Sequence, residues 1–328
     1  MKVLITGATG FIGSHLAEKL FDKRYDVRVL VRSTSNLQWL QGIAFEKVVG
    51  SLSEKDSLKK AVEGVDYIYH VAGVVAAKNR EGFFQGNVEA TRNLLEATAE
   101  VNPNIKRFVH TSSLAAVGPA RSEHEPVDET VNHRPITTYG ESKAAAEKVV
   151  SEFASQLPVT ILRPPAVYGP RDVGVYMFFQ VVVKGFVPLI GFGKKVVSLV
   201  HVDDLAHGFI LAGENNRSVG ETYFISSEEL YTWEEVGDVA AKILGKKRVR
   251  PLRVPHAVVY TVAGLSGFLG KFRKKSPILD REKGKDITQS FWICNVDKAL
   301  KDFGYRQNVS LEDGVKWTVE WYKNEGWL

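Results

Sequence analysis

The chain opens on MKVLITGATGFIGSHLAEKL, where a β-branched apolar run passes through three glycines, Gly7, Gly10 and Gly13, straight into an amphipathic stretch. Few folds accept a strand that turns this abruptly into a helix. Glycines let the backbone turn sharply and come close to a diphosphate, while unpaired N–H groups and the positive end of the helix dipole face its charge. The spacing departs by one residue from G-x-G-x-x-G, so its placement between strand and helix carries the inference. The segment predicts a pyrophosphate cradle at Gly7, Thr9, Gly10, Phe11, Ile12 and Gly13; a merely structural glycine turn is the alternative.

The alternation continues. KVLIT, a helix from Ile12 to Phe21, DVRVLVR, a helix near Ser57 to Val62, VDYIYHVA, a helix near Asn87 to Ala99 and RFVHTSS follow one another. This rhythm predicts an α/β fold with a doubly wound parallel sheet of the Rossmann type. After VTILRPPAVYGP it loosens, and from about Arg171 glycines and isolated aromatics suggest a smaller lobe over the carboxyl edge of the sheet. The expected division is a dinucleotide-binding domain over residues 1–170, with part of 196–226 returning to it, and a substrate-binding lobe mainly over 171–328. The 328 residues, 44% apolar and 25% charged, suffice for both cores. A net charge of +5 suits an anionic cofactor but falls short of the basic stripe of a nucleic-acid binder. Cys294 is the only cysteine, which precludes an internal disulfide and suggests a reducing compartment. The first apolar run is broken by glycines and lacks a cleavage site, so a cytoplasmic protein without a signal peptide is expected. No Cys/His cluster has metal spacing. His70 and His110 lie in apolar strands and read as core, whereas His201, Asp203 and Asp204 read as capping and anchoring a helix.

Two positions speak to chemistry. Arg32 ends the second strand, 19 residues after Gly13, where such folds carry an acid for the adenosine ribose. A guanidinium there can bind a 2′-phosphate, which favours NADP(H) over NAD(H), although an exposed strand-ending arginine is the plainer reading. Tyr139 stands four residues before Lys143 in TTYGESKAAAEK. A chain with 11 Tyr is expected to hold about one such pair by chance, so the pair needs support from elsewhere.

That support comes from seven separated pieces: TGATGFIG, YHVAG, NVEATRNLLEA, VHTSSLAAVG, YGESK, LRPPAVYGPRD and HVDDLA. In order and approximate spacing they resemble the extended short-chain dehydrogenase/reductases, the NAD-dependent epimerase/dehydratase family, over nearly the whole chain. The resemblance implies an oxidoreductase that interconverts a carbonyl and a secondary alcohol by hydride transfer. It implies Tyr139 as the proton donor or acceptor and Lys143 as the cation that lowers the phenol pKa and holds the nicotinamide ribose. Ser113 would polarise the substrate oxygen, with Ser112 as the fallback, and Asn87 would either relay protons or bend its helix. Ser51, Leu52, Ala72, Gly73, Thr111, Pro164 and Val167 would join Tyr139 and Lys143 against the cofactor, and Arg163 would belong to the strand and turn lining the nicotinamide. A homodimer through the helices near Asn87 and Tyr139 is implied, with Leu94, Leu95, Ala145 and Val149 apolar enough for its seam, although the protein's own core wants such residues too.

Departures narrow the reading. The acidic pair that sugar-nucleotide dehydratases carry in place of Ser113 and its neighbour is missing, Ala166 replaces the asparagine common in sugar-nucleotide epimerases, and Ser51 replaces an aspartate. The chain looks nearer to the dihydroflavonol-reductase and 3β-hydroxysteroid-dehydrogenase side, with a sterol-, flavonoid- or lipid-like substrate. An epimerase is the first rival, and a cofactor-sensing regulator without enzymatic activity the second. Residues 254–275 join a charge-free apolar run to Lys271, Arg273, Lys274 and Lys275. The run is too short to span a bilayer; it reads as a helix packed on the substrate lobe or as one lying on anionic lipid.

Overall fold

The structure, a computed structural model, describes residues 1–270 and 281–328. In chain order the strands of the first half are β1 (Lys2–Thr6), β2 (Asp26–Val31), β3 (Phe45–Val49), β4 (Tyr67–His70), β5 (Arg107–Thr111) and β6 (Val159–Arg163). Then come β7 (Ala166–Tyr168), β8 (Phe186–Ile190), β9 (Val196–His201), β10 (Thr222–Phe224), β11 (Leu230–Thr232), β12 (Arg250–Val254) and β13 (Phe291–Trp292). The helices are α1 (Phe11–Asp22), α2 (Lys55–Val62), α3 (Arg80–Phe84), α4 (Ala90–Val101), α5 (Thr138–Glu152) and α6 (Tyr176–Val183). They continue with α7 (Val202–Glu214), α8 (Trp233–Ile243), α9 (His256–Gly270), α10 (Arg281–Thr288), α11 (Asp297–Phe303) and α12 (Leu311–Asn324).

Seven strands form one parallel sheet in the order β3-β2-β1-β4-β5-β6-β10. Alternate residues of each strand serve opposite faces. Val3 and Ile5 of β1 join Leu16, Leu20, Phe209 and Ile210 beneath α1 and α7, whereas Leu4 joins Leu58, Leu94 and Val150 beneath α2, α4 and α5. Strands covered on both sides are nearly all apolar, which explains the continuous runs in the sequence. β3 is different. Its FEKVV carries the exposed Glu46 and Lys47 at the sheet edge, where charge discourages strand addition, and it has no β-branched run to reveal it.

The register aligns the carboxyl ends: Thr6 lies opposite His70, His70 opposite His110, and Thr111 opposite Leu162. Strand order reverses between β1 and β4, and the crevice beyond that reversal is where open α/β sheets bind their ligands. The smaller lobe has its own core of Phe179, Val197, Leu199, Tyr231, Val236, Val315 and Tyr322. It is built around β9, which pairs with β7, β11 and β13, while β8 and β12 form a separate parallel pair. No described helix is long and apolar enough to cross a membrane.

The glycine turn follows from local crowding. Gly7 has φ of 78°, and a Cβ on it would stand 2.7 Å from the Ala72 nitrogen. A Cβ on Gly13 would stand 2.3 Å from the Gly7 carbonyl oxygen. Gly13→Ala is therefore expected to cost about 1–3 kcal/mol of stability through overpacking, whereas Gly10→Ala, whose nearest neighbour is the Gly7 oxygen at 3.3 Å, should leave the urea midpoint nearly unchanged.

Candidate active site

At the phosphate end, Gly7 and Gly13 are required by the chain's own backbone, and Gly10 is not. Gly10 is exposed and caps α1 without a side-chain hydrogen bond, so the first-turn N–H groups are left to an incoming anion. Thr9, Phe11 and Ile12 are half-buried around it. Behind the turn, Arg171 donates to Ser14 Oγ at 3.0 Å and pairs with Glu18 at 2.5 Å, which ties the start of the smaller lobe to α1. These features fit a dinucleotide diphosphate. Arg32 follows the last residue of β2 with its side chain exposed, and its N–H donates to Ser35 Oγ. Ser51 shares a hydrogen bond with Ser53, and the Leu52 carbonyl accepts from Asn93.

The chain of contacts then runs across the sheet edge. Ala72 abuts Gly7, and next to it Gly73 is so placed that a Cβ would lie 3.1 Å from both Lys143 Nζ and Asn87 Oδ1. The glycine turn and the lysine are thus joined by two small residues after β4. Lys143 is buried, and its Nζ donates to the Thr111 carbonyl at 2.7 Å. Burial lowers the ammonium to about 8, with Glu147, one turn on, pulling the other way. Thr111 is itself buried at the end of β5, so its backbone oxygen, not its side chain, is turned to the lysine. Pro164 accepts from the Leu114 N–H, and Val167 is half-buried on β7 beside the sheet core.

Tyr139 sits in the first turn of α5, whose Thr137 cap accepts from the Gly140 N–H at 3.1 Å. Burial pushes the phenol up to about 12; a hydrogen bond with Ser113 draws it down and the charge of Asp286 adds to the rise. The Lys143 ammonium is directed at the Thr111 carbonyl. Ser113 is half-buried, with Oγ accepting from the Ala115 N–H at 3.1 Å. Ser112 points elsewhere and donates to Glu147 in the interior. Asn87 lies in a π-helical turn over Gln85–Glu89 before α4. Its Oδ1 accepts from Val74 N–H at 2.7 Å and its Nδ2 donates to the Val74 carbonyl and to Ser142 Oγ.

Arg163 was expected in the strand and turn lining the nicotinamide, but its partners were not legible in advance. Arg163 is buried and forks onto Glu147 at 2.9 and 2.6 Å, and His133 reaches the same carboxylate at 2.6 Å. Burial would raise the Glu147 carboxyl, but the Arg163 and His133 bonds outweigh it and hold it at about 2. Glu147 follows Lys143 by four residues, and that helical spacing was the one available signal. From the far end of the chain, α10 delivers Asp286 and also Glu282, which accepts from the Thr138 N–H at 2.7 Å; nothing local pointed to either. Phe83 packs 6.3 Å from the Tyr139 ring. His70 is buried between Thr6 and Thr91, His110 is buried beside it, His201 caps α7 and Asp204 accepts from the Asn308 and Val309 N–H groups. Among the described residues no group of side chains has the make-up of a metal site. Leu94, Leu95 and Val149 are buried in the protomer core and cannot form a dimer seam. They face the sheet, and only Ala145 of the four is partly open.

A doubly wound sheet with a glycine turn at its switch point defines a dinucleotide-binding fold of the Rossmann type. Comparison bears this out: the model of the "NAD dependent epimerase/dehydratase family" matches residues 3–226, and the chain belongs to that family. It is similar to a ceramide reductase of Caulobacter vibrioides, 29% identical with 99% of this chain and 96% of that one covered. It is also similar to a 3-beta-hydroxysteroid dehydrogenase of Mycolicibacterium neoaurum, 28% identical with 98% and 91% covered. Among solved structures it resembles a dTDP-glucose 4,6-dehydratase of Streptomyces venezuelae with NAD bound, at 27% identity, a TM-score of 0.80 and coverage of 100% and 98%. The protein is an NAD(P)-dependent oxidoreductase of this family.

Tyr139→Phe should lower kcat by about 10²–10⁴-fold, the usual weight of a positioned proton donor, without lowering the thermal midpoint. Lys143 is charged below about 8 and neutral above it, so kcat is expected to fall as pH rises through that value, and a Lys143→Met variant should lose the step. The serines should separate cleanly: Ser113→Ala lowers kcat, whereas Ser112→Ala removes a bond from buried Glu147 and lowers stability by about 1–3 kcal/mol.

Proposed function

We propose that the protein reduces a ketone on a lipid-like molecule to a secondary alcohol, with NADPH as the preferred reductant. The observation that carries the reading is the buried Lys143 ammonium beside Gly73, next to the Ala72 that abuts the glycine turn, with Tyr139 one helical turn before it and Ser113 two residues past the Thr111 carbonyl that the ammonium holds. The reduced cofactor, when bound between these two ends, supplies hydride from its nicotinamide ring. Tyr139 gives its proton to the carbonyl oxygen as that oxygen becomes an alcohol. Ser113 hydrogen-bonds the same oxygen and fixes its position, and Lys143 anchors the ribose and returns a proton to the phenol. Asn87 braces the Val74 backbone beside the lysine. Burial and the Asp286 charge keep the phenol protonated, the form that can donate.

The exposed guanidinium of Arg32 supports NADPH, since it can meet a 2′-phosphate with two parallel hydrogen bonds. The lipid-like substrate draws support from relatives named for ceramide, 3-beta-hydroxysteroid and 2-alkyl-3-oxoalkanoate. Ala166, exposed on β7, offers no amide to a nucleotide, and the buried Leu114 puts no acid beside Ser113; both weigh against epimerisation and dehydration. A homodimer belongs to the same reading. Its seam on α4 and α5 would use the outward Arg92, Glu96, Ala145 and Lys148, and so would be polar.

The test is a screen of sterol-like, acyl and aromatic ketones with purified protein, read by the absorbance of reduced nicotinamide. Net NADPH oxidation is expected; cofactor that stays bound with no net turnover would return the reading to an epimerase. The KM for NADPH should lie below that for NADH, and Arg32→Ala should raise the NADPH value by roughly 10–100-fold, as for a lost charge-assisted pair. A wild-type preference for NADH sinks the NADPH assignment.

A further inference from the structure

Between Asp238 and Asp280 the chain has no acidic residue and ten Lys or Arg. With a total net charge of +5, the rest of the molecule is net acidic, so positive charge is concentrated in this one segment. Its first part follows α8: Lys246, Lys247, Arg248 and Arg250 line an open cleft together with Lys184 and Lys242. Lys242 is held by Glu312 and Arg253 by Glu234, but no ion pair among the described residues engages the other four. Next comes β12, which pairs on one side only, with β8, and exposes every residue from Arg250 to Arg253. Lys271, Arg273, Lys274 and Lys275 complete the segment and lie outside the described residues.

Between these basic stretches runs α9. It has no charged residue on any side, a composition that usually means apolar cover all round. One face has that cover: Val259 and Ala263 are buried, Ala263 lies by Gly284 of α10, and the Tyr260 hydroxyl meets Thr288 at 2.9 Å. The opposite face does not. Val258 and Val262 are 46% exposed and Leu265 is 60% exposed, at positions i, i+4 and i+7 that share one side of the helix. Phe192, 72% exposed, extends the apolar surface at the start of the helix, where its carbonyl meets Arg253.

We propose that β12, α9 and the basic turn before them are a docking surface for an anionic lipid bilayer, with α9 lying in the interface rather than crossing it. An uncharged apolar helix that follows a basic, acid-free stretch of chain has the charge complementarity that interfacial binding requires; Asp238 in the cleft and Glu234 on Arg253 offset only part of that charge. A protein partner would not need so complete an exclusion of acids over forty residues. The location is apt: α10 joins α9 through Thr288 and joins the start of α5 through Glu282, whose carboxylate holds the Thr138 N–H. The docked face is thus one helix away from Tyr139. The inference goes beyond the redox reading and does not need it to be right.

Co-sedimentation of the full chain with phosphatidylcholine vesicles, with and without phosphatidylglycerol, tests it. Binding is expected only to the anionic vesicles and should weaken as salt rises. Lys246→Ala with Lys247→Ala should reduce the partition coefficient by about 25-fold, at about fivefold per charge, and Val258→Glu, Val262→Glu and Leu265→Glu together should abolish binding. Both sets should leave turnover of a water-soluble ketone unchanged, a separate readout that fails only if the redox reading fails. Absence of binding at low salt, equal binding to neutral vesicles, or wild-type binding by both variants would overturn the proposal. So would a triple variant that turns a dimer into a monomer while the wild type ignores vesicles, which would assign the face to a second copy of the chain.

Discussion

The site is organised around a cation that water does not reach. Lys143 is 4% exposed, and taking an ammonium out of water is costly unless dipoles and opposite charge replace its hydration. Here the Thr111 carbonyl supplies the dipole and Glu147, a turn further along α5, the opposite charge. The compensation is partial, so the lysine keeps a proton that it can give up near neutral pH. Glu147 can stay ionised in the interior only because Arg163 and His133 hold it from the far side. One proton site thus depends on a row of buried groups from β5, α5 and β6, and the parallel sheet sets that row because it brings those elements to a common edge.

The dinucleotide half was the most legible part. Gly7, Gly10 and Gly13 between strand and helix, and the apolar strands buried on both faces, carry patterns that one chemistry imposes. The edge strand at Phe45–Val49 was missed because solvent on one side permits Glu46 and Lys47, which erases the apolar run. Tyr139, Lys143 and Ser113 were named from the resemblance, and the structure gathers them at one edge. The approach of Asp286 to the phenol was not legible. Asp286 lies 147 residues further along the chain, and no local pattern encodes a contact closed by tertiary packing. The choice between Ser112 and Ser113 likewise turns on a one-residue register, and only the buried Glu147 shows which hydroxyl faces inward. The seam suggested by Leu94, Leu95 and Val149 failed because periodicity marks a helix's apolar side without saying whether its own sheet or another copy covers it.

The smaller lobe was the least legible, for a related reason. Its strands β7, β9, β11 and β13 are scattered from Ala166 to Trp292 and are two to six residues long, too short for a period-two signal to rise above composition. Its stability rests on aromatic contacts such as Tyr322 stacked on Trp327 at 5.6 Å. Such pairs depend on geometry that spacing along the chain does not announce. The helix α10 shows what this hides, since it carries both the carboxylate near the phenol and the one that holds the first turn of α5.

The last strand of the large sheet, β10, is read from the chain only after β7, β8 and β9 of the smaller lobe. During synthesis the free edge of β6 must therefore wait for residues 222–224 while about sixty intervening residues emerge. An unpaired edge is a ready template for another chain. A chain stopped at the apparent boundary of the nucleotide-binding half leaves that edge open, which couples the folding of the two lobes. Substitutions deep in the substrate lobe can then depress the yield of a site they never touch.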